Sequence, residues 1–420
     1  MAVADSPEAS ATGKSFLLLF FKKEVLSSPS VETTEVLILG AGAAGLMCAL
    51  TAGQRGRRVV VVDHARQPGE KILISGGGRC NFTNLHTAPD RFFSQNPAFC
   101  RSALARYTPT DFLELVARHA IPWHEKTLGQ LFCDGSARAI VAMLLAECAA
   151  GGVQIRLQQR ITDVTRGDLF HVETDAGSIT AESLVLATGG LSIPKLGATG
   201  LSHEIATRFG LPLTAIRPAL VPLTLPPADL APLQSLAGVS AEIIARCGRV
   251  AFREGMVITH RGLSGPAILQ ISSAWRETTP IDIDLLPSAS PGFLAAHKRA
   301  RPKTSLRTAF ADALPQRLAD AFLPKQHEAS RMADIPDRTL AGLETSLRQW
   351  RLHPAGTEGY AKAEVTLGGI DTRALDQRTM QARDVPGLFV IGEAVDVTGW
   401  LGGYNFQWAW ASGFSAGQAA

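Results

Sequence analysis

Val36-Leu37-Ile38-Leu39-Gly40-Ala41-Gly42-Ala43-Ala44-Gly45 decides the fold: an apolar strand runs directly into a G-x-G-x-x-G turn, and Leu46 to Gln54 continues as a helix of small residues. The first glycine permits the tight turn, the second lets a diphosphate approach the backbone, and the third lets helix and strand pack closely. The free N–H groups at the helix start, together with the helix dipole, favour an anion there. A second apolar strand, Arg58-Val59-Val60-Val61-Val62, ends in Asp63, eighteen residues after Gly45. A carboxylate at that distance suits the ribose hydroxyls of an adenosine. The two strands and the turn predict a Rossmann-type α/β unit that binds a dinucleotide.

Downstream, Gly69-Glu70-Lys71-Ile72-Leu73-Ile74-Ser75-Gly76-Gly77-Gly78-Arg79-Cys80-Asn81 reads as a loop of exposed amides. Such a loop cradles an anion or lies against a flat ligand, because side chains would be in the way. Helices are predicted at Thr110 to His119 and Ser136 to Ala149. Between them, Trp123 to Cys133 reads as a hairpin turning at Leu128-Gly129, with His124 and Glu125 on opposite faces. Strands Val153 to Leu157, Ile161 to Thr165, Leu169 to Thr174 and Ser178 to Thr180 suit a small antiparallel sheet covering the first domain. Ser183 to Leu186 then returns to the parent sheet and ends in Ala187-Thr188-Gly189-Gly190.

The pattern changes after Gly190. Residues 191–290 are expected to form a β-rich insert of short alternating segments, and residues 291–350 a helical segment. Residues 351–420 return to the first domain: Leu388 to Ile391 is an apolar strand ending in Gly392-Glu393, and Gly402-Gly403-Tyr404-Asn405-Phe406 opens a last helix. A second helix N-terminus delivered to the same sheet edge would aim N–H groups at an electron-rich ring. A nicotinamide enzyme needs only the first motif. This interrupted layout instead fits FAD in extended form, with its diphosphate at Gly40–Gly45, its adenosine at Asp63 and its isoalloxazine between Ser75–Asn81 and Gly402–Phe406.

At 420 residues, with 46% apolar and 19% charged residues, the composition is that of a globular protein with room for two or three domains. A net charge of +3 makes no case for nucleic acid or an anionic membrane surface. The six cysteines have no C-x-x-C pair and no zinc spacing, which suits reduced thiols in the cytoplasm and predicts no metal site. Residues 1–32 read as a disordered leader or an overcalled start. Their apolar burst, Phe16 to Phe21, is too short to span a bilayer.

Taken together, Gly69-x-Lys71-Ile72-Leu73-x-Ser75-Gly76-Gly77-Gly78-Arg79-Cys80-Asn81-Phe82-Thr83-Asn84, Ala187-Thr188-Gly189-Gly190, Thr259-His260-x-Gly262-Leu263-Ser264-Gly265-Pro266 and Gly392-Glu393 through Asn405 resemble the BaiN/aminoacetone-oxidase-like family of FAD-dependent oxidoreductases. The resemblance covers residues 33–420, and Trp123 to Asp134 and Val397 to Trp410 look like its YhiN branch. It implies a glutathione-reductase-like FAD domain interrupted by a β-barrel-like segment and a small helical segment. Cofactor contacts are then expected from Gly40, Gly42, Ala43, Ala44, Gly45, Asp63, His64 and Lys71. Ser75, Gly76, Gly77, Gly78, Arg79, Cys80 and Asn81 would follow, then Ile161, whose position suits main-chain contact with the adenine. Ala187, Thr188, Gly189, Gly392, Glu393, Gly403, Tyr404, Asn405 and Phe406 complete the set.

The expected activity is hydride transfer between flavin N5 and a small organic substrate. Arg79 is a candidate to orient an anionic substrate or balance reduced flavin, and His260 a candidate acid or base. No second strand-G-x-G-x-x-G unit follows, so NAD(P)H would dock transiently as donor. The alternatives are an oxygen-dependent oxidase of a small amine or amino ketone, and a flavoprotein whose FAD is structural or sensory. A folate- or RNA-linked flavoenzyme would want a basic face that the net charge does not demonstrate. Substrate identity and oligomeric state stay open.

Overall fold

The strand quoted above forms as read: Val36 to Leu39 are completely buried at the centre of a seven-stranded sheet. The computed structural model describes residues 32–420. The expected leader, residues 1–32, lies outside the described residues except for Glu32, which already begins the strand Glu32–Leu39. Parallel neighbours flank that strand on both sides, Val59–Val62 on one and Gly177–Leu186 on the other. Gln154–Arg156 extends the sheet beyond Val59–Val62, and Leu388–Val390 joins it alongside Leu184–Leu186. Near-continuous apolar runs are what a parallel sheet covered on both faces requires.

The small antiparallel sheet expected over residues 153–180 resolves differently. Gln154–Arg156 is a parallel strand of the parent sheet, and the separate strands read at Ser178 and Ser183 are one strand, Gly177–Leu186. Its first half pairs antiparallel with Phe170–Thr174 and its second half parallel with Leu388–Val390, so one edge serves two neighbours in succession. The antiparallel part here is three-stranded, made of Ile161–Arg166, Phe170–Thr174 and the first half of Gly177–Leu186. The Trp123–Cys133 hairpin turns where expected, with Leu128 at φ +57° and Gly129 at φ +74°. Two successive positive φ values match the twist of the flanking strands. His124 pairs with Asp134 at 2.6 Å in an exposed position.

The helix after the turn runs from Ala43 to Gln54 and is buried from Ala44 to Gly53, packed between Arg138–Ala150 and the last helix, Tyr404–Gly417. Small residues make the approach possible: a Cβ on Gly413 would stand 2.5 Å from the Ala44 carbonyl oxygen, and one on Gly417 would stand 2.6 Å from Thr51 Cβ. All six cysteines are buried and unpaired, and burial pushes every one of their thiols up.

A second core belongs to the insert. Its seven-stranded antiparallel sheet runs in the order 350–352, 281–284, 240–247, 250–258, 262–264, 223–224, 356–357. Ile243, Phe252, Ile281 and Ile283 pack there with Leu294, Phe310, Leu318 and Leu340 of the helical segment. The insert is therefore narrower at its start than expected and longer at its end: Leu201–Arg208, with Ile205 and Ala206, packs on the first core, whereas Trp350–Leu352 and Gly356–Thr357 belong to the insert's sheet. Trp400 touches both cores, lying edge-on to Phe252 at 4.8 Å and under the Arg91 guanidinium at 4.5 Å.

Gly413→Val forces the two helices apart, an overpacking cost of about 1–3 kcal/mol. Thermal unfolding of the variant is expected several degrees below the parent. An unchanged melting temperature would mean that this contact does not set the helix spacing.

Candidate functional site

The three glycines of the turn do three different things. Gly40 sits at φ +114°, and a Cβ there would lie 2.5 Å from the Ala187 carbonyl oxygen. A Cβ on Gly45 would be 1.9 Å from the Gly40 carbonyl oxygen, so helix and turn touch. A Cβ on Gly42 would meet nothing within 4 Å. Gly42 also caps Ala43–Gln54 without a side-chain hydrogen bond, which leaves the first N–H groups of the helix free for an anion. Asp63 closes the turn from the next strand: its Oδ2 accepts from the Ala41 N–H at 2.6 Å and its Oδ1 from the Ala65 N–H at 2.8 Å. Each carboxylate oxygen keeps a lone pair for a ribose hydroxyl.

The turn opens on a cavity of about 960 Å³. Gly40, Gly42, Ala43 and Ala44 line one part of it together with Asp63, His64 and Ile161. Lys71, Ser75, Gly76, Gly77 and Asn81 line another part. Ala187, Thr188 and Gly189 come from the parent sheet edge, and Gly392, Glu393, Gly403, Asn405 and Phe406 from the C-terminal segment. The remaining sequence candidates are not among the lining residues. Gly45 lies beneath the turn, Gly78 beside the wall, and Cys80 is buried at φ +52°. Tyr404 is buried edge-on against Phe92. Arg79 is exposed, contributing its carbonyl to the Cys133 N–H, and His260 is exposed in the insert beside the Arg261–Glu358 pair. Neither candidate catalytic residue lines the cavity.

The stretch read as a loop is more ordered than its glycines suggest. Glu70–Ile74 is helical, and Gly76 and Gly77 then take φ +57° and +67°. A Cβ on Gly76 would stand 2.8 Å from the Phe132 ring, whereas Gly77 is open. Opposite it, Gly402 and Gly403 take φ +108° and +97° and start Tyr404–Gly417. Asn405 is committed to that turn: its Oδ1 accepts from the Gly399 N–H and its Nδ2 donates to the Gly399 and Trp400 carbonyls.

Lys71 and Glu393, expected as separate cofactor contacts, form an ion pair at 2.7 Å. Lys71 Nζ also donates to Ser192 Oγ, whose hydroxyl donates to Glu393 Oε1, and the Thr366 N–H donates to the same oxygen. Burial by itself would raise the Glu393 carboxyl, but the Lys71 ammonium and these hydrogen bonds hold it below the usual carboxylate range. Residues that were not singled out also line the cavity, among them Gln130, Phe132, Arg160, Leu220, Glu364 and Leu401. Glu364 is a charge directly before the apolar strand Val365–Leu367.

The residues present fit FAD. Two helix N-termini and two glycine walls meet in one cavity, and Gly42 leaves open the space that a diphosphate would take.

The family described as HI0933-like protein Rossmann domain matches residues 34–419. The chain is similar to the Ribosomal RNA dihydrouridine synthase of Escherichia coli, 49% identical over 399 residues, which cover 92% of this chain and 98% of that one. A protein of the same name from Haemophilus influenzae is 44% identical over 393 residues, covering 91% and 97%. The 3-dehydro-bile acid delta(4,6)-reductase of Clostridium scindens is 28% identical over 407 residues, covering 91% and 98%.

Two variants probe this site. Gly42 has φ −80°, so Gly42→Glu is tolerated by the backbone while its carboxylate fills and charges the diphosphate space. It is expected to purify folded with almost no flavin absorbance; full flavin content would refute the placement. Lys71→Met leaves Glu393 buried without its cation, a loss of about 3–5 kcal/mol at neutral pH. In the parent the depressed Glu393 pKa stabilises the fold above the unfolded value of 4.5 and is lost as pH falls through the folded pKa. In the variant the Lys71 cation no longer opposes burial, so this stabilisation above the unfolded value is diminished. Denaturant unfolding at pH 5 and pH 7 is expected to show the variant's deficit shrinking at pH 5. A deficit independent of pH would show that Glu393 is not its source.

Proposed function

We propose that this chain, which belongs to the HI0933-like Rossmann family and is an FAD-dependent oxidoreductase, saturates a carbon–carbon double bond conjugated to a carbonyl, the favoured substrate being the uracil C5=C6 bond in ribosomal RNA and the donor NAD(P)H. The observation that carries the substrate is the 49% identity that extends over 98% of the Escherichia coli relative of that name. The bile acid reductase, at 28%, supports the reaction class, since an unsaturated bile acid ketone and a uracil both present an alkene in conjugation with a carbonyl.

Bound FAD supplies two-electron hydride chemistry at N5. The chain's own part is positioning and charge. The free N–H groups after Gly42 would hold the diphosphate and Asp63 the ribose. The N-terminus of Tyr404–Gly417 would stabilise negative charge at the ring. The Lys71–Glu393 pair ties two segments of the cavity wall together.

The reading departs from the expectation of a small-molecule substrate and no nucleic acid, which rested on the mean charge. Charge is unevenly distributed along the chain: residues 291–350 hold ten Lys and Arg against six Asp and Glu, so this helical segment exceeds the +3 of the whole chain. A locally basic segment attached to a neutral flavin domain suits a phosphate backbone. Six buried, unpaired cysteines suit a reducing compartment such as the cytoplasm, and no helix among the described residues is long and apolar enough to cross a membrane.

The test is anaerobic. NADPH or NADH is expected to bleach the flavin bands, and ribosomal RNA lacking the modification is expected to restore them while one uridine gains the mass of two hydrogens. Bleaching without reoxidation by RNA would remove the RNA substrate. Flavin that no nicotinamide reduces, but that a small amine does, would favour an oxidase.

A further inference from the structure

Glu364 stands immediately before the strand Val365–Leu367, and its N–H donates to the Leu220 carbonyl at 3.2 Å. Its side chain is accessible and lines the same cavity as the glycine turns, in company with Leu220, Val365 and Leu401. Among the described residues its carboxyl has neither a hydrogen bond nor an ion pair, and the protein packed around it pushes the carboxyl up with nothing to oppose the shift.

The cavity's other charged groups are otherwise engaged or differently placed. Lys71 is taken up by Glu393 and Ser192. Asp63 holds two backbone N–H groups and has His64 Nδ1 3.4 Å away. Arg160 follows Gln159, whose N–H donates to the Asp63 carbonyl, and so belongs to the adenosine end. Glu70 and Glu204 also line the cavity, on the helices Glu70–Ile74 and Leu201–Arg208. Among the described residues Glu70 and Glu204 are unpaired as well; Glu364 differs from them in lying beside Leu220, Val365 and Leu401 and two residues before Thr366, whose N–H donates to Glu393.

Saturating a conjugated alkene needs a hydride at the β carbon and a proton at the α carbon, and the proton needs a donor that is neutral at working pH. We propose that Glu364 is that donor, a role that rests on the reductase reading above. The hydride forms the new bond at the β carbon, which is C6 of a uracil. The alkene π pair takes the proton at the α carbon, C5, as the Glu364 O–H bond breaks. The carboxylate left behind is reprotonated from water. Over the cycle one NAD(P)H is oxidised, one proton is consumed and the substrate gains two hydrogens. A carboxyl raised by an apolar setting is the usual way for a protein to keep such an acid protonated.

The experiment compares the flavin-loaded parent with Glu364→Gln and Glu364→Asp. The Gln variant is expected to keep its flavin spectrum and its reduction by NADPH, while reoxidation of the reduced flavin by ribosomal RNA slows by about a hundredfold or more. Asp, which keeps the acid, is expected to recover part of the rate. A second readout needs no turnover: the infrared difference between parent and Gln variant should show a carboxylic acid band that persists to higher pH than an ordinary glutamate. Reoxidation of the Gln variant at the parent rate overturns the assignment, as does a carboxyl that titrates normally. If RNA fails to reoxidise even the parent, the RNA reading falls. The same comparison is then made with 2-cyclohexenone, where a slowed Gln variant upholds the proton donor and an unaffected one, or a parent that cyclohexenone does not reoxidise either, overturns it.

Discussion

The Gly40 backbone passes so close to Ala187, and Gly45 so close to Gly40, that no side chain fits at either contact. The rest of the structure depends on this closeness. It presses the helix Ala43–Gln54 against the end of the parallel sheet and points the helix's free N–H groups into the cavity. Asp63 holds the turn from the second strand by its bond to the Ala41 N–H. A turn displaced by one methyl group would lose both the anion site and the strand-end geometry that surrounds it.

Long-range pairs bring the remaining walls to that turn. Lys71 and Glu393 are 322 residues apart, and Thr83 meets Gln407 across 324. The last helix is held on the first by glycine contacts, and Trp410 donates to the Phe82 carbonyl at 2.8 Å. The cofactor domain is completed by its final segment, which follows the insert and its separate core along the chain. Trp400 is where the two cores meet, lying between Phe252 of the insert and Tyr404 at the start of the last helix. That contact links the insert to residues flanking the turn Gly402–Gly403, which lines the cavity.

Chemically the cavity divides its labour between backbone and side chain. The N–H groups after Gly42 and Gly403 would meet an anion; a Cβ on Gly42 would enter open space, whereas one on Gly403 would strike the Thr83 carbonyl oxygen at 2.4 Å. Side chains supply the paired charge of Lys71 and Glu393, and the unpaired carboxyl of Glu364. Glu364, accessible beside an apolar wall and with no cation at hand, has its carboxyl pushed up, whereas the Lys71 ammonium helps hold Glu393 below the usual range, so the direction follows whether a cation lies within reach.

The glycine turn, Asp63 and the return of the chain at Leu388–Val390 were legible in the sequence, because apolar periodicity and glycine spacing are local signals. The backbone half of the candidate site was legible for the same reason. The side-chain half was not. Arg79 and His260 stood out by type and by their glycine-rich neighbours, yet both are exposed outside the cavity. Glu364 was not singled out in the sequence. Whether a titratable group faces a cavity, finds a cation or lies unpaired depends on what other segments bring to it, and here those segments are Leu220 and Leu401. The amino-acid order by itself determined the dinucleotide fold and where the backbone would open for a ligand. Only the tertiary structure decided which carboxyls are paired, because pairing is a property of distances between residues hundreds of positions apart.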